Sequence, residues 1–221
     1  MVDVIEPGRD GAPPRPRRRD ARDNRERIAA AAKDRFTREG LEASLNAIAR
    51  EAGVSIGTLY NHFPTREALI NETMLDCVER SVVLAENALR APDPWTGLVD
   101  HLTMLAEWQA ADRGFTDICV YSLPAESPVE QAKHRGHTLF QQLIARARES
   151  GALRADVDVP DIGLMLWAVV RATEGIRAAA PDAWRRHLAI LLDGLRADAA
   201  RPLPGAPLPA ELLRTAMTIG R

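Results

Sequence analysis

Ala52-Gly-Val-Ser-Ile-Gly-Thr-Leu-Tyr-Asn-His-Phe63 contains Gly53-Val-Ser55-Ile-Gly57, the G-x-S-x-G spelling of a serine-hydrolase nucleophile elbow. An elbow needs a buried strand feeding a sharp turn, so that the serine stands at the top of a sheet. The residues before Gly53 do not supply one, because Leu45-Asn-Ala-Ile-Ala-Arg-Glu-Ala52 has helical spacing and composition. No other run reads as a parallel strand, and nothing places a triad around Ser55. The same residues satisfy a helix-turn-helix. Ile48 and Leu59 supply apolar contacts between two short helices, Ala49 is small enough for close approach, and Gly53 permits the positive φ of the tight turn. Ser55 then caps the second helix, whose N-terminal residues are those that enter a major groove.

Outward from this unit, the composition favours helix throughout. Ala occurs 36 times in 221 residues against 24 Ile plus Val, and aromatics make up 5%. An all-α protein is expected. Ile28, Ala31, Ala32 and Phe36 fall on one helical face that ends at Gly40, which predicts a first helix over about 22 to 39. Ser44 and Ser55 cap the next two, and Thr65 caps a fourth that runs past Leu89 to Pro92. Further helices are read at about 95 to 111, 114 to 122, 127 to 150, 160 to 180 and 182 to 199, each bounded by Pro or Gly. Glu211 to Met217 can form one more short helix. The expected organisation is a disordered basic arm over 1 to 20, a helix-turn-helix domain over 21 to 66, a helical domain over 67 to 200 and a linker with short tail over 201 to 221.

Charge is unevenly distributed. Residues 15 to 27 carry seven Arg against three acids, whereas residues 71 to 221 carry sixteen bases against twenty acids. The basic end is where a polyanion would bind, and Arg15, Arg17, Arg18 and Arg19 suit phosphate contacts or a minor groove. No window is apolar over the roughly 18 residues that span a bilayer. The N-terminus has no apolar run of a secretory signal, so a cytoplasmic protein without membrane contact is expected. In that compartment Cys77 and Cys119, both in apolar helical surroundings, read as buried thiols rather than a disulfide.

Arg27-Ile-Ala-Ala-Ala-Ala-Lys-Asp-Arg-Phe-Thr-Arg-Glu-Gly40, then Ser44 through Phe63, then Thr65-Arg-Glu-Ala-Leu69, resemble the N-terminal domain of tetracycline-repressor-like (TetR family) transcription regulators. The resemblance covers about 25 to 71; beyond it only the helical layout is similar. It implies that Ser44 and Ser55 start helices beside the DNA, that Ile56, Gly57, Thr58 and Asn61 lie toward the groove, and that Tyr60 and His62 touch phosphates. It also implies a phosphate contact at Arg66, where the family commonly has Lys. Phe36, Leu59 and Phe63 are read as core of the small domain. Only Asn61 offers an amide suited to adenine, so this helix carries little base information.

The resemblance further implies a homodimer on a double-stranded operator, whose last two long helices form a four-helix bundle with their mates. Ile162, Met165, Leu166, Val169 and Val170, with Trp184, Leu188, Leu191, Leu192 and Leu195, give those helices apolar stripes that also serve intramolecular core. A small-molecule effector would bind among the central helices. Candidate lining is His101, Met104, Trp108, Phe115, Cys119, Tyr121, His134, His137, Phe140 and Trp167, for each of which core filling is the competing role. Arg171 and Glu174 are either a mutual ion pair or polar anchors for the ligand. His134 and His137 alone do not make a metal site. No Gly-rich phosphate loop or paired catalytic carboxylate is present, so nothing points to enzyme activity or a cofactor.

Overall fold

A computed structural model describes residues 18–198, 200–207 and 209. Most of the basic arm and the segment from Glu211 to Met217 lie outside the described residues. All named elements are helices, in the order α1 (Arg18–Glu39), α2 (Leu45–Glu51), α3 (Ile56–His62), α4 (Arg66–Leu89), α5 (Pro94–Ala111), α6 (Arg113–Ile118), α7 (Pro128–Glu149), α8 (Val159–Glu174) and α9 (Ala183–Gly194). The caps are local chemistry. Ser44, Ser55, Thr65, Asp93, Asp112 and Ser127 each accept a hydrogen bond from a first-turn backbone N–H, satisfying a donor that the helix itself leaves orphaned.

Several boundaries differ from the sequence-based expectation. α1 starts at Arg18, with Asp20 in its first turn, where a carboxylate suits the positive end of the helix. α6 stops at Ile118 because the N–H groups of Val120 and Tyr121 both turn back to the Asp117 carbonyl. α8 ends at Glu174, and Gly175 leads into turns closed on Thr173 and Ile176. α9 ends at Gly194, whose carbonyl accepts from the Arg154 guanidinium at 3.1 Å.

Two apolar cores run along the molecule. One joins α1, α2 and α3 to the first half of α4, and includes Phe115 and Ile118 of α6 and Val129 and Ala132 of α7. The other joins the end of α4 to α5, α7, α8 and α9 around Leu98, Leu102, Leu143, Ile162 and Trp184. Half-buried Leu105 packs against both. α7 lies along α4 and is riveted to it at three levels. Val129 N donates to Asn71 Oδ1 at 3.2 Å, Arg135 pairs with Glu79 at 2.5 Å, and Arg146 donates to the Leu89 and Ala91 carbonyls at 2.7 and 2.6 Å. The helix that leaves the N-terminal unit is therefore held by the C-terminal one along its length.

Candidate nucleic-acid interface and ligand cavity

α3 is amphipathic in a way that separates packing from contact. Leu59 and Phe63 are each 1% exposed and pack with Phe36, Ile48 and Ala49. Ser55, Ile56, Gly57, Tyr60 and Asn61 are exposed on the other side, with Thr58 and His62 half-buried. Tyr60 is 47% exposed, so it is not a core residue. Gly53 holds φ +67 in the turn, the left-handed region that favours glycine. Ser55 Oγ accepts from Thr58 N at 3.1 Å and lies 2.9 Å from Thr58 Oγ1, so the oxygen that the elbow spelling would make a nucleophile is engaged as a helix cap. Ser44, also exposed, caps α2 through Ala47 N at 3.4 Å.

Two arginines hold the reader in place. Arg25, which no local pattern singles out, reaches from α1 to the end of α3: Nη1 donates to the His62 carbonyl at 3.0 Å, and the guanidinium lies 4.4 Å from the Phe63 ring centroid. It also pairs with Glu72 of α4 at 2.5 Å. Arg66, expected to meet a phosphate, turns its Nη1 inward instead, to the carbonyls of Leu41 at 2.6 Å and Ala43 at 2.9 Å. Both bonds leave from the one nitrogen, whose two N–H groups serve one carbonyl each.

The α1–α2 loop is gripped from a second side. Leu41 N donates to Asp117 Oδ2 at 2.9 Å, and Thr37 Oγ1 to Asp112 Oδ2 at 3.1 Å. Gly40 has φ +86, the left-handed region that favours glycine, and a Cβ there would push the Asp117 carboxylate away from Leu41 N. α6 thus touches the reader with Asp117 while its Phe115 and Ile118 form part of the wall of a cavity.

That cavity, of about 410 Å³, is bounded by α4, α5, α6, α7 and α8. Its size falls within the usual range of small-molecule sites. Of the candidate lining residues, His101, Phe115, Cys119, His134, His137, Phe140 and Trp167 do lie in its wall. Met104, Trp108, Tyr121 and Arg171 do not. Met104 sits 37% exposed on another face of α5. Trp108 stands behind Phe115, edge to face at 5.9 Å, under the Arg80 guanidinium. Tyr121 packs against the N-terminal core. Arg171 is held by Glu174 at 2.6 Å, with Arg113 also 3.6 Å from that carboxylate, so the mutual ion pair is the arrangement present.

Residues with no sequence signal complete the wall. Gln109 is 6% exposed, and its Nε2 donates to Cys119 Sγ at 3.6 Å. Gly136 and Gly163 leave stretches of wall without side chains. His101 is 3% exposed, with its ring 5.6 Å from that of Phe140, and burial pulls its pKa down to about 4, so it is neutral at physiological pH. Both cysteines are free. Cys77 is buried, which pushes its thiol up to about 12. Cys119 is not buried as expected: it keeps accessible surface in the cavity wall, although its desolvated surroundings push its thiol up to about 11. Neither is a ready nucleophile. Among the described residues no group of three His, Cys, Asp or Glu is placed to hold a metal ion, and no helix is long and apolar enough to cross a membrane.

Residues 28–73 match the family model of bacterial regulatory proteins, tetR family, and residues 93–197 match that of the transcriptional regulator SbtR-like C-terminal domain. Over 53 residues the chain is 47% identical to an HTH-type transcriptional regulator of Staphylococcus aureus (strain USA300), a match covering 24% of this chain and 29% of that protein. The chain therefore spans less than a third of the length of the curated relatives it matches. A TetR transcriptional regulator from Streptomyces coelicolor shares 31% identity at a TM-score of 0.52, with 79% of this chain and 99% of that one covered. A gamma-butyrolactone receptor (ArpA like protein) shares the fold at 22% identity and a TM-score of 0.54, with 91% and 99% covered.

Proposed function

The chain belongs to the TetR family of transcription regulators, which are not enzymes, and from this premise we propose that it is a ligand-responsive repressor that binds a pseudo-palindromic operator as a homodimer in the cytoplasm. Residues 21 to 66 are the DNA reader, with Ser44, Ser55, Ile56, Gly57, Thr58, Tyr60, Asn61 and His62 at the DNA, and the arm over 1 to 20 adds phosphate contacts. Residues 67 to 200 bind the effector and the second subunit. A single reader contacts few base pairs, so specificity comes from two half-sites about 34 Å apart or a multiple of this.

The homodimer is supported by how the apolar residues of α8 and α9 divide. Ile162, Leu166, Val169, Val170, Trp184, Leu188, Leu192 and Leu195 are buried within the chain, whereas Ile190 and Leu191 of α9 remain 57% and 40% exposed, as does Ile176 in the turn after α8 at 49%. Adjacent exposed apolar groups such as Ile190 and Leu191 suit a self-complementary two-fold contact.

The observation that carries ligand response is the double duty of α6. A molecule entering the cavity presses on Phe115 and Ile118, and the same six-residue helix holds the α1–α2 loop through Asp117. An effector that fits better when α6 is displaced shifts the population toward readers in the wrong register for the operator. Selection of duplexes from a random library by the purified protein tests this reading. A two-fold symmetric motif released by ligand is expected; no enriched motif would overturn it.

A further inference from the structure

The cavity also indicates what kind of molecule it holds, an inference that rests on its being the effector site. Charge is the first constraint. Glu130 and Lys133 are the charged residues of the wall, and they neutralise each other at 3.0 Å, while Lys133 Nζ also donates to the Tyr121 carbonyl at 2.6 Å. The wall's two side-chain charges thus compensate each other, and its other polar side chains besides His101 and Gln109 are those of Ser81, His134 and His137. A carboxylate or ammonium on the ligand would lose its hydration without meeting an uncompensated opposite charge.

Polarity is the second constraint. His101 and Gln109, more than nine-tenths buried, each carry a buried atom without a hydrogen-bond partner, Nδ1 and Oε1 respectively. With Nε2 of Gln109 directed at Cys119 Sγ, its Oε1 is left to accept, so the ligand group that meets it must donate. Length is the third. The two residues stand eight apart on α5, about 12 Å along the helix axis, and both belong to the wall. A Cβ built at Gly163 meets nothing within 4 Å, so the wall leaves room there.

We propose that the effector is an electrically neutral, elongated and mainly apolar molecule, carrying a hydrogen-bond donor such as a hydroxyl at the end that meets Gln109 and a second polar group at the end that meets His101.

Octane-1,8-diol, octan-1-ol, octanoate and octylammonium share a chain length and differ in charge and polar ends. Calorimetric titration near neutral pH, with the thermal midpoint as a second readout, should show the diol binding at least about tenfold more tightly than either ion, and more tightly than octan-1-ol. Gln109→Leu, or Gln109→Met if the leucine variant does not fold, should remove the diol's advantage over octan-1-ol. Gly163→Phe, which fills the cavity, should abolish binding of both. Tighter binding of octanoate or octylammonium, blocked by Gly163→Phe, would overturn the neutral class and leave the cavity as the effector site. Diol binding that survives Gly163→Phe, or no binding by any of the four, would overturn the cavity reading as well.

Discussion

Replacing Arg66 by Met keeps the apolar stem and removes the guanidinium that spans the Leu41 and Ala43 carbonyls. Hydrogen bonds from a charged donor contribute about 1.5–3 kcal/mol each. Leu41 and Ala43 are buried residues, at 0% and 5% exposure, so their carbonyls have little water to fall back on. Because Arg66 itself is only half-buried, the low end applies to each bond, and the expected loss is about 3 kcal/mol. For a chain of this size that corresponds to a fall of roughly 6–12 °C in Tm. Lys, whose ammonium keeps a charged donor with three N–H groups, should lose less than Met. Urea unfolding followed by circular dichroism at fixed protein concentration measures the loss. Anisotropy titrations of duplex DNA at several salt concentrations, below the variant's transition, measure the other arm. A phosphate contact at this position would lower the salt slope by about 0.9. Unchanged stability together with that lower slope would refute the inward role and restore Arg66 to the DNA backbone.

Three further outcomes are expected. Ser55→Ala should cost about 1 kcal/mol in stability through the lost cap and weaken DNA binding; an esterase activity that the substitution abolishes would reverse the assignment of this oxygen. His101 is neutral when folded and has its pKa pulled down to about 4, so its contribution is fully present above pH 6.5 and lost as pH falls. The loss should reach about 3 kcal/mol by pH 4 and disappear in His101→Gln, and an identical acid profile for the two proteins would show that burial does not hold the ring neutral. Ile190→Asp with Leu191→Asp should shift the protein toward monomer in sedimentation while the helical content stays the same; a dimer of undiminished stability would place the interface elsewhere.

What the chain does over three or four residues was legible in it, because the chemistry is contained there. Ser44, Ser55 and Thr65 each bond the backbone three residues on, and Gly53 is needed for a conformation that its immediate turn requires. The buried face of α3 follows from the positions of Leu59 and Phe63 alone. The cavity was legible only in part. On α5 the wall residues are 101, 102, 105 and 109, an arc of about 100°, and Trp108 and Met104 lie just outside it. An error of one helical position therefore moves a side chain from the cavity to its surroundings. A void also leaves no positive mark in a sequence, since Gly136 and Gly163 contribute to it by what they lack.

The contacts least visible in the sequence are those that hold the reader together and, through Asp117, join it to the helix that walls the cavity. Arg25 bonds a carbonyl 37 residues on, Arg66 bonds carbonyls 25 and 23 residues back, and Asp117 bonds an N–H 76 residues back. Side chains that address backbone groups impose no complementary residue type on the partner, so nothing at Leu41, Ala43 or His62 announces them. Arg66 shows the consequence: its charge invited a phosphate, and its geometry uses the same charge to fasten the loop between α1 and α2 to the start of α4. That loop is then held by α4 on one side and by Asp117 of α6 on the other, so a displacement of α6 reaches the reader without passing through the surface that meets DNA.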